Sequence, residues 1–449
     1  MYRSQNPYNE VIYQDFDLFS EEKLINCVEN AFLASSQWKN TPLKQRSTLL
    51  LLLADEIEVH HTALADIICK ETGKLLKEAK AEVQKSIVSI RQLVQLAEEA
   101  YSPIQKEHFT ATYQPMGVVL GIMPWNFPLW QVIRYAIPAL IAGNSVLLKP
   151  APSCPGISLE LDKIASNILP KGLFQTVLIS NEQCSLLISH DRIAAISFTG
   201  SEKTGRQIGM QAGQALKPVV LELGSNDALV IFDSNSLEKH FHAIVQARLQ
   251  NNGQSCIAAK RYIIHHSIYD SFVLQLKEHL SKLHLDSPWE PNATLACTIN
   301  PNAAEKLIAQ IQTATQQGAN ILYQYPTPLS APKSFFPPTI IEIVNTDNIA
   351  FQEEVFGPVF AITPFNTTEE ALTLVQNSQY GLGAALFTED KAVQDYFTKN
   401  LSIGTITIND MTKSDARIPF GGMRNSGIGY ELGIEGLRTF THLKVIRNA

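Results

Sequence analysis

The chain opens on a polar, acidic stretch, Met1 to Phe19, and then keeps helical spacing as far as Ala100. Leu24, Val28, Ala31 and Phe32 recur on one face, as do Leu49, Leu50, Leu53 and Ile57. A longer helix over about 73–100 sets Val83, Ile87, Ile90 and Val94 between charged positions. From Ile104 to Met116 the pattern turns to alternation (Phe109, Ala111, Tyr113), which predicts an extended arm. Short apolar runs then alternate with amphipathic ones. Strands are predicted at 118–122, 145–148, 175–179, 194–198, 219–221 and 229–232, and helices at 129–142, 156–167, 202–215 and 237–249. That β-α-β-α order predicts a parallel sheet covered on both faces. A second α/β segment follows, with strands at 262–265, 359–362, 384–387 and 405–408. The Pro/Ser-rich stretch 325–338 reads as a surface connection, the glycine-rich 419–429 as irregular, and 437–446 as one more exposed strand.

With 449 residues, the chain has room for two or three domains. Its 45% apolar and 18% charged content is that of a globular protein. A net charge of −7 leaves no electrostatic footprint for nucleic acid or an anionic membrane. The six cysteines are scattered, without a C-x-x-C pair, which predicts reduced thiols in the cytoplasm and no metal site. The N-terminus lacks a signal pattern, and Gly117–Pro150, the most apolar region, is broken by prolines, asparagines and Arg134. No membrane partner is expected.

Candidate chemistry centres on Cys256, which follows the polar turn Gln250-Asn251-Asn252-Gly253-Gln254-Ser255 and precedes a strand-like run. A cysteine there is either a covalent nucleophile or a small buried hydrophobe. Pro124-Trp125-Asn126-Phe127-Pro128 follows the first sheet strand, where open α/β sheets bind ligands; Asn126 is an oxyanion donor or part of a proline-bounded turn. Lys149, at the next strand end, reaches a cofactor or is an ordinary exposed lysine. Phe198-Thr199-Gly200-Ser201 opens a helix whose N–H groups suit a pyrophosphate, although the full G-x-G-x-x-G pattern is missing. Glu222, ahead of Leu223-Gly224, is a general base if desolvated and a solvated strand end if not.

Taken in order, these motifs, together with Glu353-Glu354-Val355-Phe356-Gly357-Pro358 and Pro419-Phe420-Gly421-Gly422, resemble the aldehyde dehydrogenase superfamily from about Leu24 to Val445. The resemblance implies an α/β fold with a Rossmann-like NAD(P)-binding domain (1–104 and 119–222), an α/β catalytic domain (223–426) and a small β oligomerisation arm (105–118 and 427–449). It also implies a homodimer or homotetramer. By the same resemblance Cys256 attacks an aldehyde, Asn126 holds the oxyanion, and Glu222 activates water against a thioester. Trp125, Lys149, Pro152, Gly200, Ser201, Gly205, Glu354 and Phe356 fall at positions that bind NAD or NADP.

The chain departs from the family pattern in two places. Ser225 replaces a glycine after Glu-Leu-Gly, which raises the expectation of an altered Glu222 turn. Pro152 stands where NAD-specific members carry a ribose-binding glutamate, so NADP is expected to be tolerated. Within the family the chain is most similar to short succinate-semialdehyde dehydrogenases, through Gly-Ile-Met-Pro-Trp-Asn-Phe-Pro-Leu-Trp-Gln-Val-Ile-Arg and the Ala-Ala-Lys-Arg after Cys256. Arg134 then corresponds to an arginine that binds the substrate's distal carboxylate, or else anchors its helix through a structural ion pair. A second such arginine is Gln250 here, and Ala258 leaves no partner for a local disulfide with Cys256. Three rival readings stand: a CoA-acylating enzyme, a dehydrogenase for an aliphatic or betaine-type aldehyde, and a catalytically silent protein on this fold.

Overall fold

The computed structural model describes residues 1–447; the last two residues of the stretch assigned to the arm lie outside them. Four helices, Glu21–Trp38, Leu43–Val59, His61–Thr72 and Leu76–Ala100, come from the first hundred residues. The first begins where the Lys23 N–H donates to the Ser20 hydroxyl at 3.2 Å. The third stops at Gly73, whose φ of +68° favours glycine. Their apolar stripes, including Leu53, Ile57, Ile87 and Ile90, bury into one core with helix Trp130–Ala142.

The first sheet runs in the order Gly427–Ile428, Val219–Glu222, Ile193–Thr199, Val118–Ile122, Ser145–Lys149, Phe174–Thr176. Five of its strands are parallel, while Gly427–Ile428 pairs antiparallel with Leu221 and Glu222. Strands Val118–Ile122 and Ser145–Lys149 are buried throughout, which is why they read as unbroken apolar runs. Ile122 lies beside Lys149 and Phe198, and Thr199 beside Glu222, so four strands end level. The singled-out motifs therefore share one edge of the sheet, as the alternating pattern predicts.

The second sheet has seven strands: Asn320–Gln324, Thr339–Glu342, Val359–Phe365, Arg261–His265, Ala228–Ile231, Gly383–Phe387 and Thr405–Ile408. All neighbours are parallel except the Asn320 edge strand. Cys256 sits on the connection between helix Ser234–Leu249 and strand Arg261–His265. A third sheet joins Ile104–Lys106, Phe109–Pro115 and Thr441–Arg447, all antiparallel.

The pattern leaves several elements unread. The first residues form a hairpin, Tyr2–Gln5 with Ile12–Phe16, anchored by buried Tyr2, whose hydroxyl donates to the Ile179 carbonyl at 3.0 Å. Asn320–Gln324 is an exposed edge strand and Thr339–Glu342 only four residues long, so neither shows a clear alternation. The final strand begins at Thr441, because Gly433–Arg438 closes into a short helix first.

One buried ion pair sets the geometry of the region after Ile122. Glu82 lies in the buried stripe of helix Leu76–Ala100, where its Oε1 accepts the Leu129 and Trp130 N–H groups at 3.0 and 3.1 Å, satisfying the start of helix Trp130–Ala142. Its Oε2 pairs with the Lys74 ammonium, which also donates to the Asn126 carbonyl at 2.9 Å and lies 4.0 Å over the Phe127 ring. Removing one partner of such a pair leaves a buried charge and costs about 3–5 kcal/mol. Lys74→Met is expected to lower the chemical denaturation midpoint by that order. An unchanged midpoint would show that the pair does not hold this region.

Candidate active site

The turn before Cys256 is built from left-handed backbone. Asn251, Asn252 and Gly253 have φ of 52°, 54° and 72°, values that asparagine and glycine tolerate. A Cβ on Gly253 would stand 2.5 Å from the Gly357 carbonyl oxygen, so the nucleophile turn abuts the Val355-Phe356-Gly357 segment. Buried Arg248 ties the two together, donating to the carbonyls of Ala259, Val355 and Gly357.

Cys256 is half-buried at the junction of two cavities that also share Gln131. Burial pushes its thiol up to about 11, opposed by the positive charges of Arg134 and Lys260. The Lys260 ammonium donates to the Ser255 carbonyl at 3.0 Å and to the Cys256 carbonyl, and so fixes the backbone on both sides of the sulfur. Asn126 is 5% exposed, and its Nδ2 donates to the Gln254 carbonyl at 3.0 Å, which leaves its second N–H free for another acceptor.

Glu222, at the end of its strand, is fully buried, and neither carboxylate oxygen has a hydrogen-bond partner among the described residues. Burial raises its pKa well above the usual carboxylate range; Arg134 pulls it down and Glu431 pushes it up. Arg134 Nε donates to Glu431 Oε2 at 2.6 Å, its Nη2 meets the same oxygen, and Nη2 lies 4.0 Å from Glu222. The guanidinium expected to face substrate is thus already bound to an acid that the motifs did not single out. Glu431 follows an irregular glycine-rich stretch, and no local pattern marks it.

The larger cavity, about 730 Å³, is lined by Trp125, Asn126, Gly200, Ser201, Glu354 and Phe356 among others. Trp125 and Phe356 meet edge to face with centroids 5.9 Å apart. Ser201 caps helix Glu202–Gln214, so that helix's N-terminus faces the cleft. Buried Thr199 Oγ1 has no partner, a feature of a site built for a polar ligand. Glu354 accepts the Ser225 N–H at 3.0 Å and lies 3.4 Å from the Lys260 ammonium. Lys149 and exposed Pro152 stand beyond this cavity, at and after the neighbouring strand end, with the Tyr2 ring 5.8 Å from the Lys149 ammonium. Gly205 is not in the cavity wall, and a Cβ there would overlap the Leu223 side chain; its place is close helix-to-strand packing.

Ser225 does not disturb the Glu222 turn. It is fully buried without positive φ, and its hydroxyl donates to Asp227, which also accepts the Gly383 N–H at 3.0 Å. The smaller cavity, about 490 Å³, lies on the other side of Cys256 and includes Lys85, Trp130, Arg134, Gln250, Ser414 and Phe420.

A half-buried cysteine, a buried carboxyl without a hydrogen-bond partner among the described residues and a cleft with a helix N-terminus at its wall suit a cofactor-dependent enzyme with a thiol at its centre. The chain belongs to the aldehyde dehydrogenase family, whose model matches residues 1–446. It is 37% identical to the NADP(+) succinate-semialdehyde dehydrogenase 1 of Mycobacterium ulcerans strain Agy99, across 98% of each chain. The succinic semialdehyde dehydrogenase of Streptococcus pyogenes, solved with NADP+, superposes with a TM-score of 0.95 at 31% identity over 99% of both chains. A betaine aldehyde dehydrogenase of Staphylococcus aureus, solved with NAD+, also reaches 0.95, at 29% identity over 99% of this chain and 93% of its own. The protein is an NAD(P)-dependent aldehyde dehydrogenase.

A thiol held near 11 is mostly protonated at neutral pH, and only its thiolate is nucleophilic. Alkylation of Cys256 by iodoacetamide, followed on its own peptide by mass spectrometry, is expected to speed up about tenfold per unit between pH 7 and 9. Lys260→Met, which removes a cation that favours the thiolate, should slow it at each pH. A rate flat with pH would mean that the thiol is already ionised.

Proposed function

We propose that the chain oxidises succinate semialdehyde to succinate with NAD or NADP, as a homodimer or homotetramer in the cytoplasm. The carrying observation is the treatment of the aromatic faces in the smaller cavity. Each is covered by a cation of the chain itself: Lys74 over Phe127 at 4.0 Å, Lys85 over Trp130 at 4.6 Å and Arg134 over Phe420 at 4.7 Å. A quaternary ammonium would need those faces open, so a betaine-type aldehyde fits poorly. The cavity's cations, Lys77, Lys85, Arg134 and Lys413, outnumber its acids, Glu78 and Glu82, which favours a substrate with an anionic tail. Gln250 adds a neutral hydrogen-bonding group, and Arg134 a guanidinium shared with Glu431.

In this reading the Cys256 thiol gives its proton to solvent and the thiolate sulfur attacks the aldehyde carbon. The electrons of the C=O bond move to oxygen, where the free N–H of Asn126 and the Cys256 backbone N–H hold the oxyanion. NAD or NADP, when bound, would supply the hydride acceptor; as the oxyanion electrons re-form the C=O bond and the hydride leaves this carbon, Cys256 is left as a thioester. Glu222, having released its proton to solvent, takes one from water; the water oxygen attacks the thioester carbon and the C–S bond breaks. Lys149 and Glu354 would hold the cofactor riboses, the Gly200–Ser201 turn the pyrophosphate, and Trp125 and Phe356 the walls of the cleft. Pro152 leaves the ribose end without a repelling carboxylate, which supports use of NADP as well as NAD.

The three sheets support a division into a cofactor domain, a catalytic domain and an arm, with Gly427–Ile428 added to the cofactor sheet. The arm strand Thr441–Arg447 exposes Leu443 and Val445 on one face and Ile446 on the other, apolar surface suited to self-association. Among the described residues no helix is long and apolar enough to cross a membrane. The six cysteines are free, in keeping with a reducing compartment.

Cys256→Ala is expected to abolish turnover while cofactor binding persists. Glu222→Gln should keep a single-turnover burst of reduced cofactor but lose steady-state rate. Full steady-state activity in Cys256→Ala would overturn the covalent route. A kinetic panel of succinate semialdehyde and uncharged aldehydes with both cofactors tests the substrate. In that panel Pro152→Glu should lower the NADP-to-NAD ratio of kcat/KM, and an unmodified protein inert with NADP would refute the reading of Pro152.

A further inference from the structure

Lys85 belongs to none of the motifs, yet it lines the smaller cavity together with Cys256. It projects from helix Leu76–Ala100, three residues after Glu82, and its ammonium donates to the Ser414 hydroxyl at 2.7 Å. Among the described residues no carboxylate lies within 4.0 Å of it. The neighbouring cations are otherwise engaged: Arg134 with Glu431, Lys74 with Glu82, Lys413 with Asp410 at 2.8 Å. Lys77, exposed at the mouth, donates to the Ala293 carbonyl at 2.9 Å.

Resting on the reading of the substrate as succinate semialdehyde, we propose that Lys85 is the counter-charge for the substrate's distal carboxylate and sets the preference for acidic aldehydes. Three observations carry this. Lys85 makes no direct ion pair among the described residues, Glu82 and Asp415 acting on it only from beyond 4.0 Å, whereas Arg134 delivers a charge already balanced by Glu431. The hydroxyl of Ser414, accepting from Lys85, keeps its own O–H to donate to a second carboxylate oxygen. The Lys85 ammonium lies 4.6 Å over the Trp130 ring, which helps to hold it in place without a direct anion. Burial first, and then the charge of Arg134, bring the ammonium down to about 8 against the opposing charges of Glu82, Asp415 and Cys256, so a bound carboxylate would favour its charged form.

Lys85 also makes a better test than Arg134, since removing Arg134 would leave Glu431 buried without its partner. Steady-state kcat/KM is measured for succinate semialdehyde and butyraldehyde in the unmodified enzyme, Lys85→Met and Lys85→Arg. In Lys85→Met the ratio of the two values is expected to fall about 10- to 100-fold, the range of a lost charge-assisted hydrogen bond, and Lys85→Arg should recover most of it. If Lys85→Met does not fold, Lys85→Gln removes the charge while keeping a donor for Ser414, and the same fall is expected. A ratio unchanged in the charge-deleted variant overturns the assignment of Lys85 while the substrate reading stands. Equal kcat/KM for both aldehydes in the unmodified enzyme overturns that reading and the assignment with it.

Discussion

The buried pairing of Lys74 with Glu82 is the constraint on which the rest of the site depends. Glu82 closes the start of helix Trp130–Ala142, and Lys74 holds the Asn126 carbonyl, so one pair positions both the oxyanion donor and the helix carrying Arg134. Desolvating two charges is costly, and an apolar pair of the same volume would be as stable or more so. What an apolar pair lacks is directional bonds to a loop carbonyl and two helix N–H groups. The pair exchanges stability for a defined position.

The same economy of charge governs the reactive groups. Cys256 and Glu222 are both desolvated, which favours the neutral thiol and the neutral carboxyl. Arg134 acts on both, yet it is anchored by Glu431, so its field reaches Cys256 and Glu222 from a fixed point. Lys260 works from the other side through the carbonyls of Ser255 and Cys256.

Two cavities meet at the sulfur, and they carry different burdens. The larger is shaped by backbone: a helix N-terminus, level strand ends and the Gly253–Gly357 contact. The smaller is shaped by side chains reaching in from separate elements. Solved structures for a semialdehyde and for betaine aldehyde superpose equally well on this chain, so the fold alone does not select the aldehyde. The choice rests with the charges that line the smaller cavity.

The sequence by itself determined the α/β alternation and singled out Cys256, Glu222 and Asn126. Buried parallel strands leave unbroken apolar runs, and Cys256, Glu222 and Asn126 each sit in a short motif whose turn chemistry is local. It also marked the turn before Cys256, since Asn-Asn-Gly is what a left-handed stretch requires. Only the tertiary structure decided which charges face one another. Glu431 meets Arg134 across 297 residues and Lys85 meets Ser414 across 329, distances over which no periodicity reports. For that reason the motifs left Arg134 open between a substrate ligand and a structural ion pair; the fold pairs it with Glu431. The edge strand Asn320–Gln324 and the N-terminal hairpin were likewise settled by packing, because half-exposed pairing leaves little hydrophobic pattern in the chain.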